Sequence, residues 1–222
     1  MSQIAIEPVL TWERETTEAM IHRYMAQHRA TYIDYARAIS PNLIRYQEIW
    51  DRFAFAILTA NTTVPRAVSA FHFMRDGGLF EPKQLAGVTP DRVDFVRMLP
   101  RAQDGLMALL KHRSEGWTEY RDRIVRDVPG LAMTKASYAV CLLYPLRAEV
   151  ACVDVWVQKL YFGYNTVFQS LTSDAYRQVE EWLGRYAIRH RVCLGLCQWM
   201  LWDFVRGRRP TRQDFFRRNV RA

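Results

Sequence analysis

The sequence predicts an all-α protein made of short helices with short connections. Apolar residues recur at helical spacing along nearly the whole chain, and no stretch alternates as a half-buried strand would. Breakers and caps at Ser40-Pro41-Asn42, Gly77-Gly78, Thr89-Pro90-Asp91 and Val128-Pro129-Gly130 cut the pattern into pieces of helical length.

A first helix follows Thr11 to about Ala38 and stops before Pro41. A second runs from Leu43 to about Ala60, with Ile49, Phe53, Ala56 and Ile57 on one side. A third, Thr63 to Met74, ends at the glycine pair. Thr89 caps a helix that opens with Pro90, a favoured first-turn residue, and continues through Met98. The stretch from Ala102 to about Arg126 is helical and has candidate breaks at Gly105 and Gly116. Beyond the turn at Pro129, Met133 to Tyr144 carries a strongly apolar face. Asp154 starts a helix through Phe162, and Thr172 or Ser173 caps one through Ile188. Val192 to Val205 is apolar on most sides, so it is expected to be buried. A short helix is expected after Pro210.

With 222 residues, half of them apolar, the chain can bury a full core in one unit or two small lobes. It shows no bilayer-spanning run and no charged-then-apolar leader, so a cytoplasmic protein without membrane contact is expected. Cys141, Cys152, Cys193 and Cys197 lie in apolar segments and read as small core residues. Cys193 and Cys197 would share a helix face. No further Cys or His stands nearby at ligand spacing, so no metal and no cofactor is expected.

The net charge of +8 and a pI near 9.5 favour a polyanionic partner, since neutralising phosphates releases counterions. Arg206, Arg208, Arg209 and Arg212, followed by Arg217, Arg218 and Arg221, crowd the C-terminal end against one acid, Asp214. Of 31 basic residues, only Lys83, Lys111, Lys135 and Lys159 are lysines. Arginine cannot serve as an amine nucleophile, which gives weight to a lysine in a suggestive place.

Three segments carry a pattern. Residues 128–143 read VPGLAMTKASYAVCLL and 150–157 read VACVDVWV; upstream, residues 53–63 read FAFAILTANTT. A turn built on Gly130 lets the backbone approach a ligand and leaves the next helix's first amides free for phosphate. Its plain alternative is a helix–helix turn using the conformational latitude of glycine. Asp154 reads as an N-cap by its position.

In order and spacing, residues 45–162 resemble the hairpin and aspartate region of the helix-hairpin-helix DNA glycosylases, the superfamily of endonuclease III and 8-oxoguanine glycosylase. Their pattern is Leu-Pro-Gly-Val-Gly, a lysine, a small-residue helix, then Val-Asp. The resemblance implies a two-lobed fold with the active site in the cleft. One lobe comprises residues 1–44 plus 150–222, the other residues 45–149 ending in the hairpin. It implies a monomer acting on DNA, expected to be double-stranded.

On that resemblance Asp154 faces the active site and stabilises positive charge on the sugar as the base leaves. Lys135, nineteen residues before Asp154, is either the amine that attacks the anomeric carbon or a phosphate contact. Counted from Pro129 without a gap, Thr134 stands at the lysine position, one residue and about 100° around the helix. Gly130, Ala132 and Thr134 fall on the hairpin that would meet DNA. Ala132 replaces the pattern's second glycine. Asn61 stands where a glutamine enters the stack to fill the gap of the flipped base, or else caps its helix. Tyr138, Trp156, Gln198 and Trp199 are candidates for the base pocket, with other aromatics, Trp202 among them, as core or pocket residues.

Three functions follow in order. The first is a glycosylase, with or without lyase activity. The second is a base-hypermodification transferase on the same scaffold, of the kind encoded by phages. It would join an amine or amino acid co-substrate to an activated 5-hydroxymethylpyrimidine in DNA. The third is a DNA-binding module without chemistry.

Overall fold

The computed structural model describes residues 13–43, 46–59, 64–77, 116–128, 131–167, 169–211 and 216. Eight α-helices occur among them and no strand. They are α1 (Glu13–Ile39), α2 (Tyr46–Leu58), α3 (Val64–Asp76), α4 (Trp117–Asp127), α5 (Met133–Leu143), α6 (Val155–Phe162), α7 (Ser173–His190) and α8 (Leu194–Val205). The all-α expectation holds. The expected helix over 89–98, residues 102–115, and most of the segment after Pro210 lie outside the described residues.

Caps explain most boundaries. The Asp154 carboxylate caps α6, and the Thr172 hydroxyl caps α7 by accepting from the Ala175 amide. Gly116 is the N-cap of α4, so the expected break in that stretch falls there. α2 begins later than Leu43, which sits in a turn. The loop before it is held because the Asn42 amide donates to Glu48 at 2.7 Å. α7 runs two residues past Ile188 and ends on Arg191, whose φ of 52° is left-handed. α8 begins at Leu194 rather than Val192, with Cys193 as N-cap.

α2 packs on α3 and α5, and α5 also meets α4. α1 packs on α7 and α8, while α8 touches α5, α6 and α7. Burial of α2 goes beyond the expected stripe. Every residue from Ile49 to Ile57 is buried, including Asp51 and Arg52. The cause is cover on several sides, because Phe216 returns to stack edge-on against Phe55 at 5.2 Å and Phe71 at 5.7 Å. The Arg52 guanidinium lies over Phe216 and donates to the Ile39 carbonyl at 2.7 Å, tying the end of α1 to α2. α8 is buried as expected, from Leu194 to Leu201. No described helix is long and apolar enough to cross a membrane.

Candidate active site around Asp154

The chain reaches Asp154 through an extended segment, residues 148–153, in which nearly every residue is buried. α7 fixes it. The Tyr176 hydroxyl donates to the Ala151 carbonyl at 2.7 Å and accepts from the Val153 amide at 3.0 Å, with Ser137 Oγ at 3.2 Å. Glu180 Oε1 accepts from the Ala151 amide at 2.8 Å. The same carboxylate accepts from Arg121 Nη1 of α4 at 2.7 and 2.8 Å, and Arg121 is fully buried. A lone charge at either position would be costly, so each requires the other. From the α8 side, the Gly195 amide donates to the Ala148 carbonyl at 2.9 Å. An ideal Cβ on Gly195 would stand 2.8 Å from Cys141 Sγ, so this glycine sets how closely α8 approaches α5.

The carboxylate that emerges has both oxygens occupied. Asp154 Oδ1 accepts from the Trp156 and Val157 amides at 3.0 and 3.1 Å, the expected helix cap. Oδ2 accepts from the indole Nε1 of Trp202 at 2.9 Å. Although the residue keeps a partly exposed rim, its carboxyl is shielded by protein, and burial raises its pKa. The three donors and the Lys135 charge pull the other way without cancelling that rise.

α5 brings Lys135 into the electrostatic range of Asp154. Its ammonium donates to the backbone carbonyl and to Oγ1 of Thr59, both at 3.1 Å, and lies 6.0 Å from the Tyr138 ring centroid. Thr59 stands at the C-terminal end of α2, where carbonyls left without amides and the negative dipole end favour a cation. Thr134 turns its hydroxyl to the Val153 carbonyl at 3.4 Å, the residue preceding Asp154. Ala132 is the N-cap of α5 and has no side chain to cap it, so the first-turn amides receive no help from this residue. Burial raises the phenol of Tyr138, and Asp154 is among the groups acting on it.

A basic and aromatic rim continues from Asp154. The Arg206 guanidinium lies 4.0 Å from the Trp202 ring centroid and 5.7 Å from that of Trp156. The Lys159 amine is 5.1 Å from the Trp156 and Tyr164 rings. Arg208 and Arg209 are exposed beyond it. Trp199 is placed elsewhere, buried and edge-on to Tyr32 of α1 at 5.5 Å, and Gln198 is buried beside it in α8. Asn61, Gly130 and Arg212 lie outside the described residues.

Sequence reasoning missed Trp202 as a partner of Asp154, and also Thr59 and Lys159. The four-residue interval from Trp202 to Arg206 puts them on one face of α8, but nothing local links that face to Asp154. The cysteines are all free thiols. Cys193 and Cys197 have separate acceptors, the Pro145 and Leu183 carbonyls. No group of three or more His, Cys, Asp or Glu suited to a metal occurs among the described residues. A separate cavity of about 350 Å³ lies between α1, α6 and α7, lined by His22, Trp182, Arg185 and Arg189 among others, and shares no residue with this site.

No family model and no curated protein matches the sequence. Solved structures do match. The 8-oxoguanine DNA glycosylase of Thermotoga maritima superposes with a TM-score of 0.72 over 89% of this chain and 99% of its own, at 17% identity. The 8-oxoguanine DNA glycosylase of Methanocaldococcus jannaschii gives 0.70 over 90% and 98%, at 15% identity. The 8-oxoguanine glycosylase/lyase of the same organism, in complex with a 15mer DNA containing 8-oxoguanine, gives 0.68 over 87% and 100%, at 16% identity. The chain therefore has the fold of the 8-oxoguanine DNA glycosylases, along almost their entire length.

Proposed function

We propose that this protein is a DNA base-excision enzyme that receives a base turned out of the duplex and breaks its N-glycosidic bond. The observation that carries the reading is Asp154: a shielded carboxylate, locked by three donors, with an amine from another helix in electrostatic range. A fixed anion stabilises positive charge that develops on the sugar as the base departs with the bonding electron pair. The new bond to the anomeric carbon then forms from water or from the Lys135 amine. In the second case Lys135 must leave Thr59 and lose a proton before it can attack.

DNA would bind on the side of the α5 N-terminus, where Ala132 and Thr134 lie, and along Arg206, Arg208 and Arg209, with Gly130 and Arg212 assigned to the same role from the sequence. Asn61 would fill the gap in the stack. The base would enter between the helices that carry Lys135 and those that carry Trp202, with Tyr138 and Trp156 nearest Asp154. Gln198 and Trp199 would be more remote, as deeper wall. The duplex form of the substrate, the monomeric state and the division into lobes 1–44 plus 150–222 and 45–149 belong to this proposal. The neighbours in fold make an oxidised purine such as 8-oxoguanine the first substrate to offer.

The experiment is nucleoside mass analysis after incubation with duplexes carrying oxidised, deaminated, alkylated or 5-substituted bases. The Asp154→Asn protein runs in parallel, and borohydride is added to trap an amine adduct. A freed base that requires Asp154 supports excision, and a trapped adduct adds the lyase step through Lys135. A mass change on a still-attached 5-substituted pyrimidine, seen only with an added amine, replaces excision with transfer. Unchanged DNA throughout leaves a binding module.

A further inference from the structure

Two atoms beside Asp154 are unexplained by capping or core packing. The first is Nε1 of Trp202, spent on the second carboxylate oxygen although the helix cap already holds the first. The second is Nη1 of Arg206, buried one helical turn later with no hydrogen-bond partner among the described residues. Its guanidinium rests on the Trp202 ring at 4.0 Å, so a cation with an unspent donor sits on the indole that holds the carboxylate. A buried donor without an acceptor is costly unless a ligand supplies one, and a guanidinium donor suits a phosphate oxygen.

From this geometry we infer that Trp202 is a positioning residue for Asp154, and that Arg206 binds a DNA phosphate and thereby clamps Trp202 on the carboxylate. The inference rests on the excision reading for the phosphate's source. A nucleotide whose sugar faces Asp154 brings its own phosphodiester to the same rim. Docking of the backbone then fixes the indole, and the indole fixes the direction and charge of the carboxylate. The other ionisable groups facing Asp154 are Lys135 and Tyr138 of α5, Cys152 on its own segment, and Arg206 at the C-cap of α8. None of them can replace Trp202, because Oδ2 accepts from its indole directly.

The test separates the indole N–H from the ring. Trp202→Phe keeps an aromatic surface for Arg206 and removes the donor. The Asp154 carboxyl, followed by carbon-13 NMR and assigned by its absence in Asp154→Asn, should titrate about one pH unit higher. The acid limb of base release should move with it. Turnover should fall about tenfold while DNA affinity stays unchanged. Arg206→Met should weaken DNA binding, lower its salt slope by about one, and reduce turnover. Combined with Trp202→Phe it should cost no further turnover, because it acts through the indole. Arg206→Lys should restore the salt slope but not the turnover, since an ammonium does not stack as a guanidinium does. An unchanged Asp154 titration in Trp202→Phe overturns the positioning role, and an unchanged salt slope in Arg206→Met overturns the phosphate contact. Should the Trp202 variant not fold, Asp154 titration in Arg206→Met with and without duplex carries the test. There, a duplex-induced fall in the Asp154 pKa that is as large as in the parent overturns the clamp. If no duplex ever loses a base, the excision reading fails while the titration and the salt slope still judge this inference.

Discussion

On the excision reading Asp154 would do two jobs with one carboxylate, and they can be pulled apart. As a cap it is worth about 1 kcal/mol, a contribution that Asn retains because its carbonyl can accept from the same amides. As an anion it has no substitute. Asp154→Asn should therefore lower base release by about 100- to 1,000-fold while its helix content by circular dichroism stays that of the parent. Because burial raises the Asp154 pKa, the rate should climb with pH through a midpoint above the ordinary aspartate range. The sign for stability is the reverse. A carboxyl raised on folding costs nothing below its unfolded pKa, and the cost is complete above the folded one, so this residue makes stability fall as pH rises between them. The cap itself was legible, because an aspartate before an apolar helix has a local meaning. Trp202 lies 48 residues away and Thr59 lies 76 residues from Lys135, and no local pattern announces such partners.

α5 and α8 bring Lys135 and Trp202 to the same carboxylate, the first within electrostatic range and the second by a hydrogen bond. The approach of the two helices is set at Gly195. Gly195→Ala would gain about 1 kcal/mol of helix propensity. Its new methyl, however, would meet Cys141 Sγ at 2.8 Å, with Cys141 Cβ and Ala148 Cβ at 3.3 Å. Two of those three atoms cannot yield without backbone movement, so overpacking should win by about 1–3 kcal/mol and lower the denaturant midpoint. Placing the same change in a Cys141→Ala background removes the nearest atom and should recover part of the loss, the two Cβ contacts remaining; equal penalties in both backgrounds would refute the sulfur contact. The helices themselves were readable from apolar spacing and caps, as Thr172, Asp154 and Gly116 show. Burial of α2 on several faces was not, because Phe216 arrives from the far end of the chain.

On the scale of the whole molecule, the pair of Arg121 with Glu180 joins α4 to α7 and both to the segment that ends in Asp154. Glu180→Gln leaves the buried guanidinium only Asp122, which accepts from Arg121 Nε at 3.1 Å, and should cost about 3 kcal/mol, read as a melting temperature lower by about 10 °C. Base release at low temperature, where the variant stays folded, should fall as well, since the Ala151 amide loses a charged acceptor. A thermal midpoint within a degree of the parent would count against the pair. The overall helical architecture followed from the sequence because helical periodicity is local. Assembly of the site did not, since it draws on α2, α5, α6 and α8 at once.

The four thiols give the molecule a built-in clock. Burial raises the pKa of Cys141, Cys152, Cys193 and Cys197, to about 12 for Cys152 and about 11 for Cys193. Thiolate, not thiol, reacts with an alkylating probe, so the closed protein should be almost inert to maleimide at neutral pH. Cys141 faces Gly195, Cys152 stands two residues before Asp154, and Cys193 stands at the N-terminus of α8. Each labelling event at these positions therefore records one parting of the helices that frame the carboxylate. The order in which the four react would map how the scaffold opens.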